Sequence, residues 1–127
     1  MYYGVVDSWS LKNPTILNDF PQIKVSVQYE PHSDVSKYHY NFLLKSVDDP
    51  MIERIQKEMK KGWFSFFWNE EIFCIAFDAK SFKIALPNDW SSQSYKGAQD
   101  FARSQGIQNE YVDFKKHYDD IILKLKK

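Results

Sequence analysis

The sequence predicts an α+β domain: an antiparallel sheet of about five strands with about three helices, the last two C-terminal, packed mainly on one face. Three observations carry this. Apolar residues alternate with polar ones in two stretches of the first half, between turn signals. Three apolar stretches follow one another between Trp63 and Leu86 with very short connections, as in an antiparallel meander. Helical spacing of apolar residues occurs once between these groups and twice after them.

In chain order, Tyr2 to Val6 is the first candidate strand. Gln22 to Tyr29 places Ile23, Val25, Val27 and Tyr29 on one face and Gln22, Lys24, Ser26 and Gln28 on the other, the pattern of a half-buried strand. Lys37 to Val47 continues extended, with Tyr38, Tyr40, Phe42 and Leu44 opposite His39, Asn41, Leu43 and Lys45. Asp49 is a candidate cap for a helix with Pro50 at its first position, Ile52, Ile55 and Met59 on one stripe, and Gly62 as its stop. Trp63 to Trp68, Glu71 to Asp78 and Ser81 to Leu86 form the meander. Its first member is apolar on both faces except at Ser65, which suggests an interior strand. Ser92 to Gln105 carries Tyr95, Ala98, Phe101 and Ala102 at helical spacing, closed by Gly106. Asn109 is a candidate cap for a last helix striped by Tyr111, Phe114, Tyr118, Ile121, Ile122 and Leu125, with Lys124, Lys126 and Lys127 where the helix dipole favours cations. Turn signals fall at Asn13-Pro14, Glu30 to Asp34, Asp48 to Pro50 and Pro87 to Ser92.

The chain has 127 residues, enough for one domain, residues 1–127. It is 43% hydrophobic and 27% charged, a globular balance. Basic and acidic residues cancel at 17 each, so the chain is not a polycation built for nucleic acid. A single cysteine excludes an internal disulfide framework. No apolar run approaches the roughly 18 residues of a membrane helix, and no leader pattern opens the chain, which points to a cytoplasmic, non-membrane protein.

Motifs for chemistry are sparse. His32, His39 and His117 lack metal-ligand spacing, and four scattered glycines build neither a P-loop nor a dinucleotide turn, so no metal and no cofactor is expected. Cys74, in the apolar stretch Glu71 to Phe77, reads as a small core hydrophobe. Asp48-Asp49 reads as a helix cap, and Asp119-Asp120 as a solvated helix face paired with Lys115 and Lys116. His39 is the one candidate for proton transfer, because its ordinary pKa lies near neutrality, but no partner acid or nucleophile is identifiable from the sequence.

Aromatic residues reach 17% of the chain. They concentrate in Trp63-Phe64-Ser65-Phe66-Phe67-Trp68. Either its second face is covered by Trp9, Leu11, Ile16, Leu17 and Phe20, or it meets a partner. On the second alternative Trp63, Phe67 and Trp68, with Trp90 in a polar loop, are the candidate partner-binding residues. Small size, neutral charge, many aromatics and missing catalytic motifs together fit a small intracellular protein-binding module better than an enzyme. An inhibitor or immunity-like protein is one form of it, with another protein or a second copy as partner. The alternatives are an enzyme with a cleft near His39 and a nucleic-acid-binding accessory using the C-terminal lysines, against which the Lys-for-Arg bias argues.

Overall fold

The computed structural model describes residues 1–33, 36–86 and 90–126, with side chains as far as Ile121. Asp34, the loop residues Pro87, Asn88 and Asp89, and the side chains of Ile122, Leu125 and the lysines at 124, 126 and 127 lie outside the described residues.

Six strands form one antiparallel sheet in the order β2-β3-β1-β4-β5-β6. They are β1 (Tyr2–Asp7), β2 (Gln22–Tyr29), β3 (Tyr38–Val47), β4 (Ser65–Trp68), β5 (Ile72–Ala76) and β6 (Ser81–Ala85). The first candidate strand of the sequence is β1, which brings the count to six and sits between β3 and β4. Helix α1 (Asp49–Glu58) links β3 to β4, and α2 (Gln93–Ser104) and α3 (Phe114–Lys126) follow the sheet. No helix among the described residues is long and apolar enough to cross a membrane.

The helices begin where side chains can satisfy their free N–H groups. Asp48 accepts from the Met51 N–H at the start of α1, one residue earlier than Asp49, and Ser92 accepts from the Tyr95 N–H at the start of α2. Gly62 and Gly106 follow α1 and α2 at φ of 87° and 85°, a region that costs glycine nothing. The last helix starts later than the sequence suggests. Asn109–Tyr111 is a separate 3-10 turn, and Asp113 accepts from the Lys116 N–H ahead of α3. The break turns Val112 and Phe114 inward and leaves Tyr111, expected on the buried stripe, 42% exposed.

Both faces of the central sheet are covered. Two of the three helices, α2 and α3, share one face, where Phe66, Trp68, Phe73, Ile75, Phe77 and Ile84 meet Tyr95, Ala98, Ala102 and Phe114. The Lys115 N–H donates to the Tyr95 hydroxyl and ties α3 to α2. On the other face, the N-terminal Leu11, Ile16, Leu17 and Phe20 join Ile52, Ile55 and Met59 of α1 over Val6, Leu44, Val47, Phe67 and Cys74. Each large aliphatic or aromatic group sealed this way contributes about 1.5–3 kcal/mol. A bulge sets the phase of β3: its register against β1 shifts between Tyr2 and Gly4, Ser46 takes φ 55°, and Leu44 and Val47 both end up fully buried although three residues apart.

The coverage is uneven across the sheet. At one margin α2 lies beside β6, and the Lys83 carbonyl accepts from the Ser94 hydroxyl at 2.9 Å. At the opposite margin, every residue of β2 but Ser26 is exposed.

Candidate functional site

The aromatic strand that the sequence singles out is interior. Phe67 has no exposure and Trp68 has 5%, so neither offers a face to a partner. The reason is the strand's place in the sheet. β4 lies between β1 and β5, Phe67 points into the α1 layer, and Trp68 points into the α2/α3 layer. Trp68 also stacks on Tyr3, with centroids 6.0 Å apart. The first alternative of the sequence reading therefore holds for this strand: the N-terminal segment, with α1, covers it. Trp63 and Trp90 are half-buried. Trp63 packs against the α1 layer, and Trp90 packs on Phe73, Tyr95 and Tyr118. Cys74 is buried too, and burial pushes its thiol up to about 11, so it is a core group and not a nucleophile.

The exposed apolar surface lies instead on β2 and β3. Val25, Val27 and Tyr29 are 45%, 61% and 58% exposed, and Tyr38 and Tyr40 beside them are 52% and 43% exposed. They share one face, because Val25 pairs with Phe42, Val27 with Tyr40 and Tyr29 with Tyr38. The rings of Tyr29 and Tyr38 lie 5.4 Å apart. This is the face that α1 and the N-terminal segment cover farther along the sheet, where Phe42 already touches that core. Periodicity alone could not reveal it: the alternation in Gln22–Tyr29 is the same whether the apolar face meets a core or solvent.

The backbone of β2 is open as well. The Glu30 N–H donates to the Lys37 carbonyl at 2.6 Å, so Glu30 is a hydrogen-bonded position of the β2–β3 ladder. Alternation then turns Gln28, Ser26 and Lys24 towards β3, and points the N–H and C=O groups of Val25, Val27 and Tyr29 away from it. Among the described residues no strand takes up that side. Natural sheets blunt such margins with charge, proline, bulges or a covering element. Here such devices gather near the start, where Pro21 precedes the strand, the register shifts between Gln22 and Lys24, and Lys24 carries a charge; Val25, Val27 and Tyr29 carry none of them.

A second constellation surrounds His39, which is 8% exposed. Its Nδ1 lies 2.6 Å from Asp7 Oδ2 and its Nε2 lies 3.0 Å from Ser33 Oγ. A carboxylate can only accept, so Nδ1 is the donor to Asp7, and in the neutral ring Nε2 is then an acceptor for the Ser33 hydroxyl. Asp7 is itself held by the Trp9 N–H at 2.9 Å, and the His39 ring lies against Trp63 at 6.0 Å. These contacts pin the β2–β3 loop to the end of β1. They also supply the acid and the hydroxyl that the sequence could not assign to His39, since Asp7 lies on another strand.

Between β1–β3 and α3 lies a hollow of about 320 Å³, lined by Lys24, Asn41, Glu110, Lys116, His117 and Asp120 together with apolar residues such as Leu43 and Phe66. Burial holds His117 below its ordinary pKa, while its contact with the Tyr111 carbonyl pulls the other way. Of the lysines on the last helix, Lys115 is paired with Asp119 at 3.0 Å.

Comparison with protein-family models, with curated proteins and with solved structures finds no match to this chain.

Proposed function

We propose that this chain is a protein-binding module that takes up an extended segment of a partner along β2. The observation that carries this reading is the open margin itself: outward N–H and C=O groups at Val25, Val27 and Tyr29 beside exposed apolar side chains on the same strand. Main-chain pairing would supply affinity, and the alternate side chains Val25, Val27, Tyr29 and Tyr40 would select the partner's residues. The inhibitor or immunity-like form of the sequence reading is one way to use such an edge. The binding residues move from Trp63, Phe67, Trp68 and Trp90 to β2 and β3.

A random extended-peptide library tests this. The unmodified chain is expected to select peptides with alternating apolar residues. Val27→Pro is expected to select none, because proline at an outward position removes the N–H a partner strand needs while sparing the β2–β3 ladder. Equal enrichment by both chains, or by neither when the wild-type chain is monomeric, would end the reading.

The Asp7–His39–Ser33 contacts favour a second reading, the enzyme alternative. In that tautomer the imidazole can accept the Ser33 proton as Oγ attacks an acyl carbonyl, with Asp7 stabilising the imidazolium that forms. The proton then passes from His39 to the departing group, and water releases the acyl chain by the same route. A fluorophosphonate probe should label Ser33 in the folded chain and fail on Ser33→Ala and His39→Gln. An unlabelled wild-type chain would leave these contacts a purely structural tie.

A further inference from the structure

We infer that the segment β2 takes up is the β2 of a second copy, paired antiparallel about a two-fold axis through Val27. This rests on the proposed reading of the β2 margin and names its occupant.

The backbone restricts the register. Beyond the register shift, Val25, Val27 and Tyr29 are the described residues of β2 with outward hydrogen-bonding groups, so a hydrogen-bonded self-pairing along this stretch places them opposite one another. Such a register keeps apolar side chains on the apolar face in both copies, since a slip of one residue would set them against the polar face.

Charge selects among the registers that remain. With the axis at Val27, Val27 faces its own copy, Val25 faces Tyr29, and Lys24 faces Glu30. Both cross-strand charge pairs are then opposite in sign, and both Val25–Tyr29 pairs join a β-branched side chain to an aromatic one. An axis at Ser26 sets Lys24 against Gln28 and Gln22 against Glu30, and an axis at Val25 sets Lys24 against Ser26. Neither opposes the two charges. Within one chain, Lys24 and Glu30 sit at opposite ends of the same strand face, and among the described residues neither is in an ion pair. The Glu30 carboxylate is meanwhile steadied by Gln28 Nε2 at 2.7 Å.

Two sheets joined this way would be continuous across the axis, with Val27 and the Tyr29, Tyr38 and Tyr40 rings of both copies on one surface. A two-fold pairing also closes: among the described residues each copy offers one margin beside an exposed apolar face, and at the other margin, β6, the Lys83 carbonyl is already taken by the Ser94 hydroxyl.

Native mass spectrometry of the full chain over a range of concentrations tests the inference. The expected result is a dimer that Val27→Pro converts to monomer, with far-UV circular dichroism showing that the variant stays folded. Should that variant not fold, Val27→Lys serves, because the new charge faces itself across the axis. Lys24→Glu and Glu30→Lys should each weaken the dimer at least about tenfold, and the double exchange should restore it, since it returns an opposite-sign pair. A wild-type chain that is monomeric at every concentration overturns self-pairing, as does a dimer indifferent to both Val27 variants or an uncorrected double exchange. Peptide selection by a monomeric wild-type chain that is lost in Val27→Pro would leave the edge-binding reading standing while removing the second copy. No selection by a monomeric chain would remove both.

Discussion

Replacing Phe67 by alanine is expected to lower the free energy of unfolding by about 3–5 kcal/mol, the cost of deleting a sealed aromatic ring and leaving a cavity. Phe67 is fully buried among Val6, Leu44, Ile55 and Cys74 in the α1 layer, on a strand flanked by β1 and β5. Its neighbours belong to the sheet and to a capped helix, so they cannot collapse far into the space. Urea unfolding at constant slope would report the loss as a lower midpoint. A cost below about 1 kcal/mol would show that the ring is not a core element, and would reopen its candidacy as a partner anchor.

Gly4→Ala should also be costly, by about 1–3 kcal/mol through overpacking. A β-carbon at Gly4 would come within 2.6 Å and 2.7 Å of two ring carbons of Phe67, closer than carbon atoms approach without a shift. The ring is fully buried, so β1 and β4 would be pushed apart where Gly4 pairs with Phe67. The explanation is specific to one pair of residues, and a double-mutant cycle tests it. In a Phe67→Leu background the added methyl should cost at least about 1 kcal/mol less than in the wild-type chain. Additive effects would place the strain elsewhere. The two expectations are linked: Gly4 leaves the space that the Phe67 ring fills.

Much of the fold was legible because local pattern and local chemistry agree. Ile52, Ile55 and Met59 mark the buried stripe of α1 at helical spacing, and Ser92 and Gly106 bracket α2 by capping and by positive φ. Doubly apolar Trp63–Trp68 correctly announces an interior strand. The start of α3 was misplaced because Asn109 and Asp113 are both competent caps, and the choice between them follows from burying Val112 and Phe114. His39 was legible as a strand residue on the face opposite two tyrosines. Its acid and its hydroxyl were not, because Asp7 comes from a different strand and Ser33 from a loop.

Sequence by itself determined the alternation in β2, the apolar character of β4, the helix stripes and most of the caps, all of which depend on residues within a turn or two of one another. Only the tertiary structure decided which apolar strand faces solvent. Val25, Val27 and Tyr29 carry the pattern of a half-buried strand, yet β2 lies at the margin of the sheet, beyond the cover of α1. Trp68, chosen from sequence as a contact residue, is sealed by strands on both sides and helices above. A strand's period of two says which side chains share a face, and the order of strands, set by long-range pairing, says what that face meets.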